Sequence, residues 1–169
     1  MSLADLRSTF SGRILTAADA DYDAYRQVIY GGIDKHPAAI ALAKTSADVA
    51  AAVNYARDNG VELAVRSGGH SAAGHSVSDG GLVVDLREMN AISIDPEART
   101  AWVGAGATAA QFTSAAAEHD LVVGFGDAGS GGLGGLVTGV GWATWSASTV
   151  SPSILSSPPK SSPLMVPRG

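Results

Sequence analysis

The sequence predicts an α+β fold, and three observations carry that expectation. An apolar run at 37–44 (PAAIALAK), an amphipathic stretch from 45 to 60 and a second apolar run at 62–66 (ELAVR) read as strand, helix and strand. The runs ISI and TAWVGA flank Asp95-Pro96-Glu97 and read as a hairpin. Glycine is concentrated at 68–81, 104–106 and 124–141, which predicts loops rather than regular elements there.

Each element has a local reason. In the lead-in, 1–36, the segment DYDAYRQVIYGGI (21–33) reads as a short helix ended by Gly31-Gly32. After the strand at 37–44, Ser46 reads as the N-cap of a helix. Val49, Val53 and Ala56, with Ala52 alongside, fall at helical spacing, and Asn59-Gly60 stops it. The strand ELAVR delivers the chain into the loop VRSGGHSAAGHS. GGLVVDLREM (80–89) is another strand, and Thr108 caps a helix over TAAQFTSAAAEHD. LVVGFG (121–126) reads as a further strand, and Trp102 as a packed strand aromatic. GDAGSGGLGGLVTGVGW (126–142) is too rich in glycine for a regular element.

Composition narrows the function classes. A chain of 169 residues with 46% hydrophobic and 16% charged residues has enough apolar content for one core. Its net charge of −5 argues against a nucleic-acid partner, which wants a basic face. No apolar run is long enough to span a bilayer, and MSLADLRSTF lacks the features of a signal peptide. The expectation is a cytoplasmic protein with no membrane partner. With no cysteine, thiolate metal sites, disulfides and Cys nucleophiles are excluded.

Two glycine loops, SGGHS and GDAGSGGLGG, could each present backbone N–H groups to an anion such as a phosphate. Each could equally be a plain turn. GSGGLGG resembles the GxGxxG dinucleotide fingerprint but lacks its first strand-to-helix setting, and neither loop matches the phosphate loop GxxxxGK[ST]. His70 and His75 have no carboxylate at metal-ligand spacing, so no metal site is expected. Spacing alone does not make a Ser–His pair catalytic, and no catalytic residue is assigned. Asp85, Asp95 and Asp127, taken alone, read as strand-end or turn residues.

Taken together, VRSGGHSAAGHS, GGLVVDLREMNAISIDPEARTAWVGAGAT and GFGDAGSGGLGG resemble the flavin-binding module of the p-cresol methylhydroxylase/vanillyl-alcohol oxidase type, in the berberine-bridge-enzyme-like branch. The resemblance covers roughly residues 37 to 142. It implies the N-terminal part of a two-subdomain FAD-binding fold, with strand-helix-strand units and a mixed sheet, over 37–144. It also implies that the histidine of RSGGHS, His70, is bonded covalently to the 8α carbon of FAD. By the same resemblance Arg66, Ser67, Gly68, Gly69, His70 and Ser71 line the pyrophosphate loop, and Gly74, His75 and Ser76 also bind the cofactor. Gly126, Asp127, Gly129, Ser130, Gly132, Leu133 and Gly135 wrap the other side of the cofactor. Some relatives make a second flavin bond through a Cys there; this chain has none. Family chemistry is hydride transfer from a substrate carbon to flavin N5, with O2 as acceptor. The small-molecule substrate and the catalytic base belong to the full-length form, so a catalytically silent flavin-binding fragment is the alternative.

From about residue 145 the chain is rich in Ser and Pro, which predicts a disordered tail over 145–169. The resemblance implies a different continuation, of the type RKHGLTLDSLLAAEVVTADG. With suitable wobble bases, a coding sequence for Ser146 to Val166 yields that segment when read from its third base. The observed residues fix the second and third bases of nearly every shifted codon. The sequence therefore predicts a change of reading frame near Thr144–Trp145, with a natural Ser/Pro tail as the alternative.

Overall fold

The computed structural model describes residues 2–139 and the backbone of 164–165. The tail and frame-change expectations for 145–169 lie outside the described residues, save that short backbone segment. Two sheets organise the chain. The first has four strands in the order β1 (Arg13–Leu15), β2 (Ala39–Leu42), β4 (Leu82–Asp85), β3 (Leu63–Arg66). β2, β3 and β4 are mutually parallel, and β1 runs antiparallel to β2. The strand-helix-strand unit is present as β2, α3 (Ser46–Asn59) and β3, yet its two strands are not neighbours. β4 lies between them, pairing Ala39 with Leu82 on one side and Leu63 with Leu82 on the other.

Burial explains that order. All four residues of β2 and all four of β4 are buried, as central parallel strands covered on both faces require. Side chains alternate between two cores. Ala39, Ala41, Leu82 and Val84 pack with Ala52 and Ala56 of α3 and with Leu6 of α1 (Leu3–Thr9). Ile40, Leu42 and Val83 pack on the opposite face with Val77 and with Tyr22 of α2 (Tyr22–Arg26). β3 forms an edge, and its Val65 is exposed.

The N-cap of α3 is Thr45 rather than Ser46. Thr45 and Asp48 form a reciprocal capping box in which the Thr45 side chain accepts from the Asp48 N–H. Asp48 is buried, and its carboxylate also accepts from the main-chain N–H groups of Ser11, Lys44 and Thr45, tying the lead-in to the helix. Gly60 ends α3 in the left-handed region at φ 63°. Val53 points to solvent, while Ala52 and Ala56 carry the buried stripe. The helix at 21–33 is limited to Tyr22–Arg26, and the lead-in contributes the strand β1, which its sequence did not announce.

The second sheet is the hairpin of β5 (Ile92–Asp95) and β6 (Thr100–Val103), with β7 (Leu164–Met165) antiparallel to β6. The Asp95 carboxylate accepts from the Ala98 N–H within the turn. Helix α4 (Ala109–Ala117) starts at Thr108 through a capping box with Gln111. Its Phe112 packs with Ala101, Ala116, Leu121 and Leu133, and meets Phe125 edge-on. Trp102 is half exposed instead of packed, because it alternates to the face opposite Ala101. Residues 122–126 are not a strand, and the glycine-rich segment contains a short helix, α5 (Leu133–Thr138). Leu133 enters the core and supplies that helix with its anchor. Among the described residues no helix is long and apolar enough to cross a membrane.

Candidate FAD site

The three parallel strands end on the same side of the first sheet, where α/β folds tend to place ligands. The loop 67–76 leaves β3 there. Its backbone meets the second glycine loop directly: a Cβ on Gly68 would lie 2.2 Å from Gly132 N and 2.6 Å from Ser130 O. A Cβ on Gly132 would in turn lie 2.1 Å from Gly68 N. Only two residues without side chains can approach so closely, which explains why both loops carry glycine at the crossing. Gly69 adds a positive φ of 74° that turns the chain toward His70.

His70 and Ser130 meet across the crossing. His70 Nε2 lies 2.8 Å from Ser130 Oγ. The Ser67 hydroxyl donates to the Ala105 carbonyl at 2.5 Å, anchoring the loop to the segment after β6. Ser71 closes the far end: its carbonyl accepts from Gly74 N and its hydroxyl from His75 N. His75 is exposed, whereas Ser76 is buried and leaves its hydroxyl without a partner among the described residues. The main-chain N–H groups of Gly68, Gly69, His70 and Ser71 donate to no protein group among the described residues. Unpaired amides on adjacent residues are what an anion cradle requires.

The second loop divides its residues. Ser130 and Gly132 face the first loop. Gly126, Asp127 and Gly129 line a separate cavity of about 480 Å³ against α4. Leu133 belongs to the core, and Gly135 is exposed. The structure thus brings Ser67 to His70 together with Ser130 and Gly132, and leaves Gly126, Asp127, Gly129, Leu133, Gly135 and His75 away from that crossing.

Arg66 is buried beneath the loop and is committed to protein acceptors. Its guanidinium donates to the carbonyls of Tyr25, Arg26 (2.8 Å) and Ser76 (3.3 Å) and lies 3.8 Å from the Asp85 carboxylate. Burial lowers its pKa, with Asp85 opposing the shift. The contribution of Arg66 is therefore to hold α2 and both ends of the loop in place. A residue that the motif reading passed over lies closer to solvent. Arg87 grips Asp85 with two hydrogen bonds of 3.0 and 2.8 Å and stacks over the Tyr25 ring at 4.4 Å.

Together these groups form a cleft of about 270 Å³ lined by residues 27–29, 66–69, 87, 106, 108 and 130. Both charged residues on its walls are arginines. Small residues, unpaired amides and positive charge fit a dinucleotide diphosphate lying against main chain.

Residues 37–151 match the FAD binding domain family, which is most of the chain. The chain belongs to the FAD-linked oxidases with a p-cresol methylhydroxylase-type FAD-binding domain, in the berberine-bridge-enzyme-like branch. It is 37% identical over 145 residues to (R)-6-hydroxynicotine oxidase of Paenarthrobacter nicotinovorans, covering 80% of this chain and 32% of that protein. The solved berberine-bridge-enzyme-like 1 of Physcomitrella patens superposes with a TM-score of 0.79 at 28% identity, covering 84% of this chain and 31% of the other. The glucooligosaccharide oxidase of Acremonium strictum, which carries a 6-S-cysteinyl, 8α-N1-histidyl FAD, gives a TM-score of 0.76 at 27% identity over 82% of this chain and 30% of its own. The chain spans about a third of the length of these relatives. FAD is the cofactor of this oxidase family, and the cleft at the loop crossing suits it.

Proposed function

We propose that this FAD-family chain binds the diphosphate of FAD in the cleft between the two glycine loops and holds the flavin covalently through His70. The observation that carries the reading is the loop crossing itself. It sets an imidazole beside a run of amides that have no protein acceptor among the described residues, at the open ends of three parallel strands. The amides of Gly68 and Gly69 on the cleft wall would take the phosphates, Gly68 and Gly132 permit the close approach, and Ser130 would orient the His70 ring. Gly126, Asp127 and Gly129 extend the cofactor surface along α4. Held by these residues, FAD would supply hydride-transfer chemistry from a substrate carbon to flavin N5, with dioxygen as the electron acceptor. A small-molecule substrate is part of the same reading, and no described residue is assigned as its base.

The test is incubation of the purified chain with FAD, denaturation, and measurement of flavin fluorescence on the precipitated protein. Wild type is expected to keep the fluorescence and His70→Ala to release it. Release by both proteins, with FAD bound before denaturation, would overturn the covalent assignment. Absence of any bound FAD would overturn the site.

A further inference from the structure

The chain is net negative, yet the cleft that faces the loop amides carries positive charge. Two arginines, Arg66 and Arg87, share one fully buried carboxylate, Asp85. These three groups together carry one net positive charge; the neighbouring Glu88, which also acts on Arg87, is paired with Lys44 at 3.6 Å. Arg66 has spent its guanidinium on three carbonyls and is sealed from solvent. Arg87 differs: its side chain is 42% exposed, and only Nε and Nη2 are taken by Asp85. Nη1 has no protein partner among the described residues. The Tyr25 ring beneath and the bidentate grip on Asp85 fix the plane of the fork, so little side-chain entropy remains to be lost on binding.

We propose that Arg87 is the electrostatic ligand of the cofactor diphosphate, with Nη1 donating to a phosphate oxygen across the cleft from Gly68 and Gly69. This rests on the reading that the cleft takes FAD. Arg87 supplies the net charge that the amide cradle lacks, and Asp85 and Tyr25 are positioning residues that aim it. Any ligand with the same diphosphate ester is expected to depend on Arg87 in the same way, including one with no flavin ring.

ADP, which carries the diphosphate without the flavin, is the probe. Calorimetry on the full chain is expected to show ADP binding that weakens with added NaCl and falls at least about tenfold in Arg87→Gln, the scale of one lost charge-assisted hydrogen bond. A folded R87Q chain that binds ADP as wild type does would overturn the proposal while leaving the FAD site standing. A wild-type chain that binds neither ADP nor FAD would bring down the site and the proposal together. A wild-type chain that binds FAD but not ADP would overturn the proposal alone. Labelling of the wild-type chain with phenylglyoxal, read by peptide mass, covers the case in which R87Q fails to fold. ADP is expected to protect Arg87 and not the exposed Arg57, and equal labelling of Arg87 with and without ADP would overturn the proposal.

Discussion

At residue scale the structure separates side chains that hold the loops from those left free to act. Gly68→Ala places a methyl group against the backbone of Gly132 and Ser130, where nothing flexible can yield. The expected cost is about 1–3 kcal/mol, the usual range for overpacking, together with loss of FAD binding. Gly69→Ala meets no atom closer than 4.0 Å and pays only for its positive φ, about 1 kcal/mol. Thermal melts and FAD titrations of the two variants should differ in that order. Asp48 makes a pH prediction. Burial alone would raise its pKa, but hydrogen bonds from the N–H groups of Ser11, Lys44 and Thr45 outweigh burial and hold it below the ordinary 3.8. A depressed folded-state pKa means the stabilisation is complete above the unfolded-state value and is lost as pH falls through the folded one. Asp48→Asn should therefore be less stable than wild type by about 1–3 kcal/mol near neutral pH, the scale of a buried acceptor lost. The gap should narrow in acid below the unfolded-state value. Denaturant melts between neutral pH and strong acid check this.

At element scale the caps were the most legible feature, and also the source of one error. Thr108, the hairpin turn and Gly60 can be read from sequence because each depends on neighbours within four residues. The cap of α3 depends on local pattern too, but the Thr45–Asp48 box competes with Ser46 one position on. Thr45→Ala should cost about 1 kcal/mol, whereas Ser46→Ala should be nearly neutral. Chemical denaturation of the two variants distinguishes them. Elements set by distant partners were not legible. β1 is three residues long and exists because β2 offers it an edge. The insertion of β4 between β2 and β3 is a tertiary choice that the strand-helix-strand pattern does not encode. The apolar run at 121–126 looks like a strand, but Leu121 and Phe125 are drawn into the core around Phe112 instead. Leu133 and Leu136 make a helical turn where glycine content argued for none.

At the scale of the whole molecule, the proposed site lies where two loops sixty residues apart in sequence cross. The motif RSGGHS identified the first loop and its histidine, and the family match bears out the resemblance that the motif carried. It did not reveal that Arg66 is structural or that Arg87 faces the cleft. Those roles depend on Tyr25, Asp85 and the carbonyls of α2, which no local pattern brings together. The chain as a whole is acidic, so the positive cleft is also a statement about where charge has been concentrated. The crossing is proposed to present His70 to a flavin held by its diphosphate. The most direct test is a tryptic map of the chain after reconstitution with FAD. Cleavage after Arg66 and Arg87 releases one peptide that contains both His70 and His75, and fragmentation tells them apart. The flavin mass is expected on His70 alone; flavin on His75, on another peptide, or on none would contradict the assignment of His70.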